Sequence, residues 1–326
     1  MRGGQIDAVQ ARLTRLSLPR SEADTVSDLI DPGKATANNN PLPSLDIEVD
    51  DFELRGKRLG RLEVQAQAPA ASRDWRLEKL QIKSPDATLI ATGQWGTVKG
   101  GDAAGHRRTQ LDWTLDIADA GKLLERLGQG QVLRGGKGQL AGQVGWDGSP
   151  LAPHYPSMAG ALHVQIETGT FLKAEPGVGR LLGVLSLQSL PRRLLLDFRD
   201  VFAEGFTFDG VTGDVKIAAG VARSDNIRIR GLQATVLVDG STDLAAETQA
   251  LRVVVVPEVS AGGASLAYAA INPVIGLGAF LAQLILSRPV AAASTREFHI
   301  TGTWDDPKVE KAENLPAKPV GAASAP

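Results

Sequence analysis

The sequence predicts a mainly β fold of short antiparallel strands, and three observations carry that reading. Apolar residues alternate with polar ones along most of the chain, the period of strands whose side chains point in turn to two faces. Gly-containing turn signals separate the alternating runs. Gly accounts for 36 of 326 residues, about 11% against a usual figure of roughly 7%, so turns are frequent. Together they describe a meander of hairpins.

The first twenty residues hold Arg2, Arg12, Arg15 and Arg20 but no apolar run of seven or more, so they do not read as a secretory signal. Ile6, Val9, Leu13, Leu16 and Leu18 already look structural. Two origins stay open: a cytosolic protein whose first element starts at once, or a piece of a longer protein whose export or anchoring segment lies upstream. Residues 31–43, DPGKATANNNPLP, have the composition of a loop.

The strands follow in order. Leu45, Ile47 and Val49 oppose Asp46, Glu48 and Asp50, and Leu62, Val64 and Ala66 repeat the pattern. Leu111, Trp113, Leu115 and Ile117 face away from Asp112, Thr114 and Asp116. Leu140 to Trp146, Leu162 to Ile166, Leu194 to Phe198, Val211 to Ile217, Ile227 with Ile229, and Phe298 to Gly302 continue it. Asp147-Gly148, Thr168-Gly169, Asp209-Gly210 and Asp239-Gly240 mark turns between them. The apolar residues are mostly Leu, Val, Ile and Ala, with aromatics at only 5%. One sheet with a single apolar face fits this, and so does a sandwich or jelly roll closed around its core.

Three helices interrupt the strands. Asp119 to Gly128 has an Asp cap, Leu123, Leu124 and Leu127 at helical spacing, and a Gly stop. Val178, Leu181, Leu182 and Leu185 mark a second, over about 177–189. The third lies in a stretch from Val259 to Ser287 without Asp, Glu, Lys or Arg. Asn272-Pro273, Gly276 and Gly278 interrupt it, leaving a continuous piece shorter than the roughly 20 residues that span a bilayer. A buried or interfacial helix pair over about 264–287 fits better. The tail after Trp304 is rich in Pro, Ala and charge and is expected to be disordered beyond about Val309.

No chemistry assembles from these residues. Without Cys there is no disulfide, thiolate nucleophile or Cys-based metal site. A net charge of −2 argues against a nucleic-acid partner. His106, His154, His163 and His299 are dispersed, and no metal set or cofactor is expected. Gly177 to Gly183 and Gly130 to Lys137 miss the spacings of phosphate-cradling loops. Asp305-Asp306 opens the tail as a solvated turn, and Arg192-Arg193 fits a solvated turn better than a headgroup contact. The expectation is a protein that is not an enzyme.

From Phe171 to Glu310 the chain resembles the C-terminal part of the YhdP family of AsmA-like, TamB-like proteins. The residues that carry this are FLKAEPGVGRLLGVLSLQSLPRR and the strands after it, then SLAYAAINPVIGLGAFLAQLILSRP, then REFHITGTWDDPKVE. LPSLDIEVDDFELRGKRLGRLEVQAQA looks like upstream strands of the same family. The resemblance implies an elongated, twisted antiparallel sheet forming an open hydrophobic groove, with a few short helices near the C-terminal end. It also implies a periplasmic, inner-membrane-anchored bridge that carries phospholipid to the outer membrane and supports the barrier there. Measured against that resemblance, these 326 residues are expected to hold neither the anchor helix nor most of the groove and to be a C-terminal segment.

On that footing the chain divides into an N-terminal fragment and loop (1–40), a groove segment (41–160), a C-terminal groove segment (161–310) and a tail (311–326). Leu115, Ile117, Leu162, Val164, Ile166, Val215, Ile217, Val253 and Val255 are expected to line the groove against phospholipid acyl chains. Leu266, Tyr268, Val274, Ile275, Phe280, Leu281 and Leu284 are expected to meet the outer membrane or its proteins, or to close the groove end. Each acyl CH₂ kept from water is worth about 0.8 kcal/mol, so carrying a chain of about 16 carbons unshielded would cost on the order of 10 kcal/mol. The alternative is an envelope scaffold that uses the same sheet to bind protein strands.

Overall fold

The alternating runs become strands of one continuous sheet. A computed structural model describes residues 7–19, 43–68, 74–98, 107–130, 132–172, 205–257 and 295–312. Among them, β1 (Ala8–Leu18), β2 (Ser44–Leu54), β3 (Lys57–Gln67), β4 (Trp75–Lys83), β5 (Ala87–Thr97) and β6 (Arg107–Ile117) come first. The helix α1 (Ala120–Arg126) follows, then β7 (Leu133–Gly135), β8 (Gly138–Asp147), β9 (Ala159–Ile166) and β10 (Gly169–Phe171). The remainder is β11 (Phe206–Ala218), β12 (Val221–Gly231), β13 (Ala234–Asp243), β14 (Thr248–Pro257), β15 (Arg296–Thr303) and β16 (Pro307–Lys311).

The sheet has 16 strands and runs β1-β2-β3-β4-β5-β6-β8-β9-β11-β12-β13-β14-β15-β16, with β7 and β10 off this path. Its ends do not pair with each other, so the sheet is open and the closed sandwich is excluded. At about 4.8 Å per step the path is roughly 62 Å long. Neighbours are antiparallel except β1 and β2, which are parallel in the register Leu13↔Val49. The end of β1 and the start of β2 therefore lie at opposite rims, where a hairpin would have kept them at one.

Hairpin geometry sets the local register. Arg55 and Gly56 both have positive φ, 52° and 78°, the conformation a two-residue turn demands and the reason a Gly stands there. A second device is a shared break: β10 continues the line of β9, and β7 that of β8. β10 pairs with β7 through Gly169↔Gly135, beyond the β8–β9 ladder, and the Glu167 amide donates to the Lys137 carbonyl across the break.

α1 forms where the spacing predicts. Asp119 caps it by accepting from the Lys122 amide at 3.0 Å. Leu123 and Leu124 pack against a cluster that includes Ile117, Val132, Leu133, Phe208, Val236, Val253, Phe298 and Ile300. A separate cluster at the other end of the sheet is built on Val49, Phe52 and Leu62, with Leu80 and Ile82 against it. The expected helices over 177–189 and 264–287 and the strand over 194–198 lie outside the described residues, as does the tail beyond residue 312; the disorder expected beyond Val309 does not start there, because Glu310 and Lys311 of β16 pair with His299 and Phe298.

Candidate functional site

Because directly opposed residues in a sheet point to the same face, the pairing register shows which side chains stand together. One row crosses eight strands as Leu13, Val49, Leu62, Ile82, Leu89, Leu115, Leu140 and Val164. A second, two residues away along each strand, runs Ile47, Val64, Leu80, Ala91, Trp113, Gly142, Leu162 and Val215. A third passes through Leu77, Gly93, Leu111, Val144, Gly160 and Ile217, and a fourth through Ala87, Ile117, Gly138, Ile166, Val211, Ile229, Val236 and Val255. Four rows spaced by about 6.7 Å give an apolar lane roughly 20 Å across, running along the sheet.

All nine residues expected to line a groove share this face. Leu115 and Val164 stand in the first row, Leu162 and Val215 in the second, Ile217 in the third, and Ile117, Ile166 and Val255 in the fourth. Val253 belongs to a neighbouring row, Ile227, Val238, Val253, Phe298. Their surroundings differ. Leu115, Leu162, Val164, Ile166, Val215 and Ile217 are only half-buried, whereas Ile117 is 5% exposed, Val253 1% and Val255 2%. The Leu, Val and Ile residues of the first three rows are thus half-buried from about β4 to β11, the fourth row is covered at Ala87 and Ile117, and the rows are filled from β12 onward. The seven residues expected at a membrane, Leu266 to Leu284, lie outside the described residues.

The alternation within single strands shows each of these side chains but not the rows. Leu62, Leu80, Ile82, Leu89, Leu140 and Val144 extend the lane well beyond the nine, and only the register reveals it. The glycines were an overlooked signal: Gly142 opposes Leu162 and Gly160 opposes Val144, so small faces large across β8 and β9. A Cβ at Gly142 would run into the Ala161 carbonyl and one at Gly160 into the Gln143 carbonyl, which marks a close backbone approach on the lane face.

The opposite face is polar. Arg12 and Arg61 share Glu48, Arg61 and Lys79 share Glu63, and Arg15 reaches Asp51 and Glu53. Hydrogen bonding from Arg12 holds the Asp46 carboxyl below its ordinary value, and Lys79 does the same for Glu63. Further along, His163 Nδ1 lies 2.8 Å from Asp214, and Arg252 grips Glu297 at 2.7 Å. Only at β13 and β14 does this face turn apolar: Leu237, Val254 and Val256 are at most 4% exposed, so both faces are buried there.

The two rims differ as well. One carries a registered set of aromatics, Trp75, Trp95 and Trp146, with Thr109 between the last two. Trp75 and Trp95 have ring centroids 5.3 Å apart, and the Arg107 guanidinium stacks 3.5 Å from the Trp95 ring. The Trp146 indole donates to the Ser149 carbonyl at 2.8 Å. The other rim carries α1 and is where the chain leaves after β10 and β14 and returns into β11 and β15.

Among the described residues there is no group of His, Asp and Glu that could hold a metal ion. No described helix is long and apolar enough to cross a membrane.

Comparison with known proteins agrees with the geometry. The family described as YhdP protein matches residues 3–309, a wider span than the 171–310 segment on which the resemblance first rests. The Escherichia coli (strain K12) protein named "Intermembrane phospholipid transporter YhdP" is 27% identical over 303 residues, 93% of this chain. The chain spans 23% of the length of that relative. No solved structure matches the chain. With a family match over nearly its whole length, the chain belongs to the YhdP protein family.

Proposed function

We infer that this chain is a segment of an envelope phospholipid carrier, shielding acyl chains in the apolar lane as they pass between the inner and outer membranes and so supporting the outer-membrane barrier. The observation that carries this is the set of aliphatic rows in register, three of which keep their Leu, Val and Ile residues only half-buried between β4 and β11. A soluble sheet normally covers such a face with a second layer, because about 25 cal/mol is lost for each Å² of apolar surface left in water. A guest of hydrocarbon supplies that layer. Sliding needs no fixed polar contact, which accounts for a lane built of Leu, Val and Ile. In this reading the segment works in the periplasm as part of an inner-membrane-anchored protein, its C-terminal end toward the outer membrane. The name of the Escherichia coli relative supports the substrate class.

Photocrosslinking tests it. A photoreactive residue at Leu140 or Val164 in the full-length protein is expected to capture phospholipid in cells, and capture of polypeptide alone would overturn the reading. That second outcome would favour a scaffold for protein strands, which one feature also suits: β1 is an eleven-residue edge strand, mostly exposed.

A further inference from the structure

The face opposite the lane is dry at one place. Elsewhere an apolar side chain on it meets water, as Ile90 of β5 does at 43% exposure. At the α1 rim of β13 and β14 the register sets Thr235 opposite Val256 and Leu237 opposite Val254, and none of the four is more than 4% exposed. Neighbours within a sheet do not achieve this by themselves: Leu115 and Leu162, flanked by apolar residues on the other face, stay half-buried. Arg228 and Asp239 border the patch, and loss of water lowers the guanidinium and raises the carboxyl from their ordinary values. A layer therefore covers the patch, and no described element supplies it. The strands belong to one sheet, α1 packs on the lane side through Leu123 and Leu124, and the turn at Tyr155–Ser157 stands beside Gly220 at the opposite rim.

Two long stretches outside the described residues start and end at the α1 rim, 173–204 and 258–294. The first is flanked by lane-side residues: Phe171 packs against Phe208, and Phe206 and Phe208 belong to the lane-side cluster. It also carries Arg192, Arg193, Asp197, Arg199 and Asp200. The second follows directly on Val256 and Pro257 and rejoins the sheet in β15, the neighbouring strand. From Val259 to Ser287 it has no Asp, Glu, Lys or Arg, the composition a buried layer requires. We propose that the outer face of β13 and β14 seats the segment 264–287, which forms a second layer there on the side away from the lane. The segment is then a structural cover in place of a bilayer contact, and the single sheet ends in a layered block. This holds whatever the lane carries.

Because the sequence has no Cys, an introduced pair is the only pair. In the whole chain, Thr235→Cys or Val256→Cys is combined with a single Cys at each position of 274–286 or 178–185. Val236→Cys and Val255→Cys, the adjacent residues facing the lane, serve as control anchors. Under mild oxidation the outer anchors are expected to give at least about tenfold more disulfide to 274–286 than the lane anchors, since bridging demands Cβ atoms roughly 4 Å apart. Preference for the lane anchors, bridging only to 178–185, or no bridging from either face overturns the proposal. A second measurement does not need the bridge to form. Replacing 264–287 by a Gly/Ser linker of equal length is expected to raise maleimide labelling of Thr235→Cys at least about tenfold while that of Val236→Cys stays unchanged. Equal labelling of Thr235→Cys with and without the segment also overturns it.

Discussion

Arg126, in the last turn of α1, sets its guanidinium 2.6 Å from the Asp86 carboxylate in the turn between β4 and β5, and so fastens the helix over two strands it does not adjoin in sequence. The Asp86 carbonyl meanwhile accepts the amides of Ala118 and Asp119, which position the helix start. Both ends of α1 are thus referred to one residue.

Removing the Asp86 side chain releases the C-terminal end of the helix, while the backbone carbonyl still holds its start. With Asp86 only 6% exposed, Asp86→Ala is expected to cost about 2 kcal/mol, and a double-mutant cycle with Arg126→Ala to show coupling of about 1.5–3 kcal/mol. Urea denaturation gives the first figure. Hydrogen exchange in 118–127 should rise in the variant while that in β13 stays unchanged.

Substitution of the lane glycines strains the backbone before it changes the surface. Gly142→Ala or Gly160→Ala places a methyl against a cross-strand carbonyl, and about 1–3 kcal/mol of destabilisation is expected from each. Gly56→Ala meets no atom within 4 Å but holds φ at +78°, so its smaller cost, about 1 kcal/mol, comes from the turn alone. Midpoints of chemical unfolding separate the two causes.

Acid is expected to destabilise the fold. Asp46, Glu63, Asp214 and Glu297 are held below their ordinary values, chiefly by hydrogen bonds from Arg12, Lys79, His163 and Arg252. Between the lowered value and the ordinary one, 3.8 for Asp and 4.5 for Glu, the unfolded chain binds more protons than the folded one. Their stabilisation is therefore complete above about pH 5 and fades as the pH falls through the low 4s and below. Asp239, raised chiefly by burial, runs the other way and favours the fold as it protonates. Arg252→Met should flatten the acid limb of a stability–pH curve, because Glu297 loses its largest lowering partner. An unaltered limb would show that the Glu297 pair does not contribute.

Charge placed in the open lane should stop traffic, and charge at its filled end should break the fold. Val164→Arg is expected to leave the melting temperature within a few degrees while abolishing lipid capture and raising envelope permeability in the full-length protein. Val253→Arg, at 1% exposure, is expected to destabilise by more than about 4 kcal/mol. Photoreactive residues at Val253 and Ile300 should capture no lipid where those at Leu140 and Val164 do. Crosslinks at Val253 would mean that the C-terminal core opens.

Much of the lane was legible in the chain because each strand is amphipathic by itself. Leu111, Trp113, Leu115 and Ile117 announce their common face with no knowledge of a neighbour. The partner of each strand was not legible, since register depends on turn lengths and bulges, such as the break between Val49 and Phe52 against β3. The parallel β1 escaped for the same reason: nothing in Ala8–Leu18 states the direction of its neighbour. Val253 to Val256 broke the alternation outright, and the structure explains it, as both faces of β14 are buried.

The two buried clusters, one around Val49 and Phe52 and the other around Phe208 and Ile300, share no residue and are joined by the half-exposed middle of the sheet. Cooperativity in such a body decays with distance, as in repeat proteins, because each strand is supported mainly by the two beside it. Melting is then a sequence of local events, one block built around Val49 and Phe52 and the other reaching from Ile117 to Ile300. If the lane takes the hydrocarbon guest proposed above, that guest supplies apolar contacts the half-buried rows lack, and occupancy and folding become one linked equilibrium in which loading raises stability.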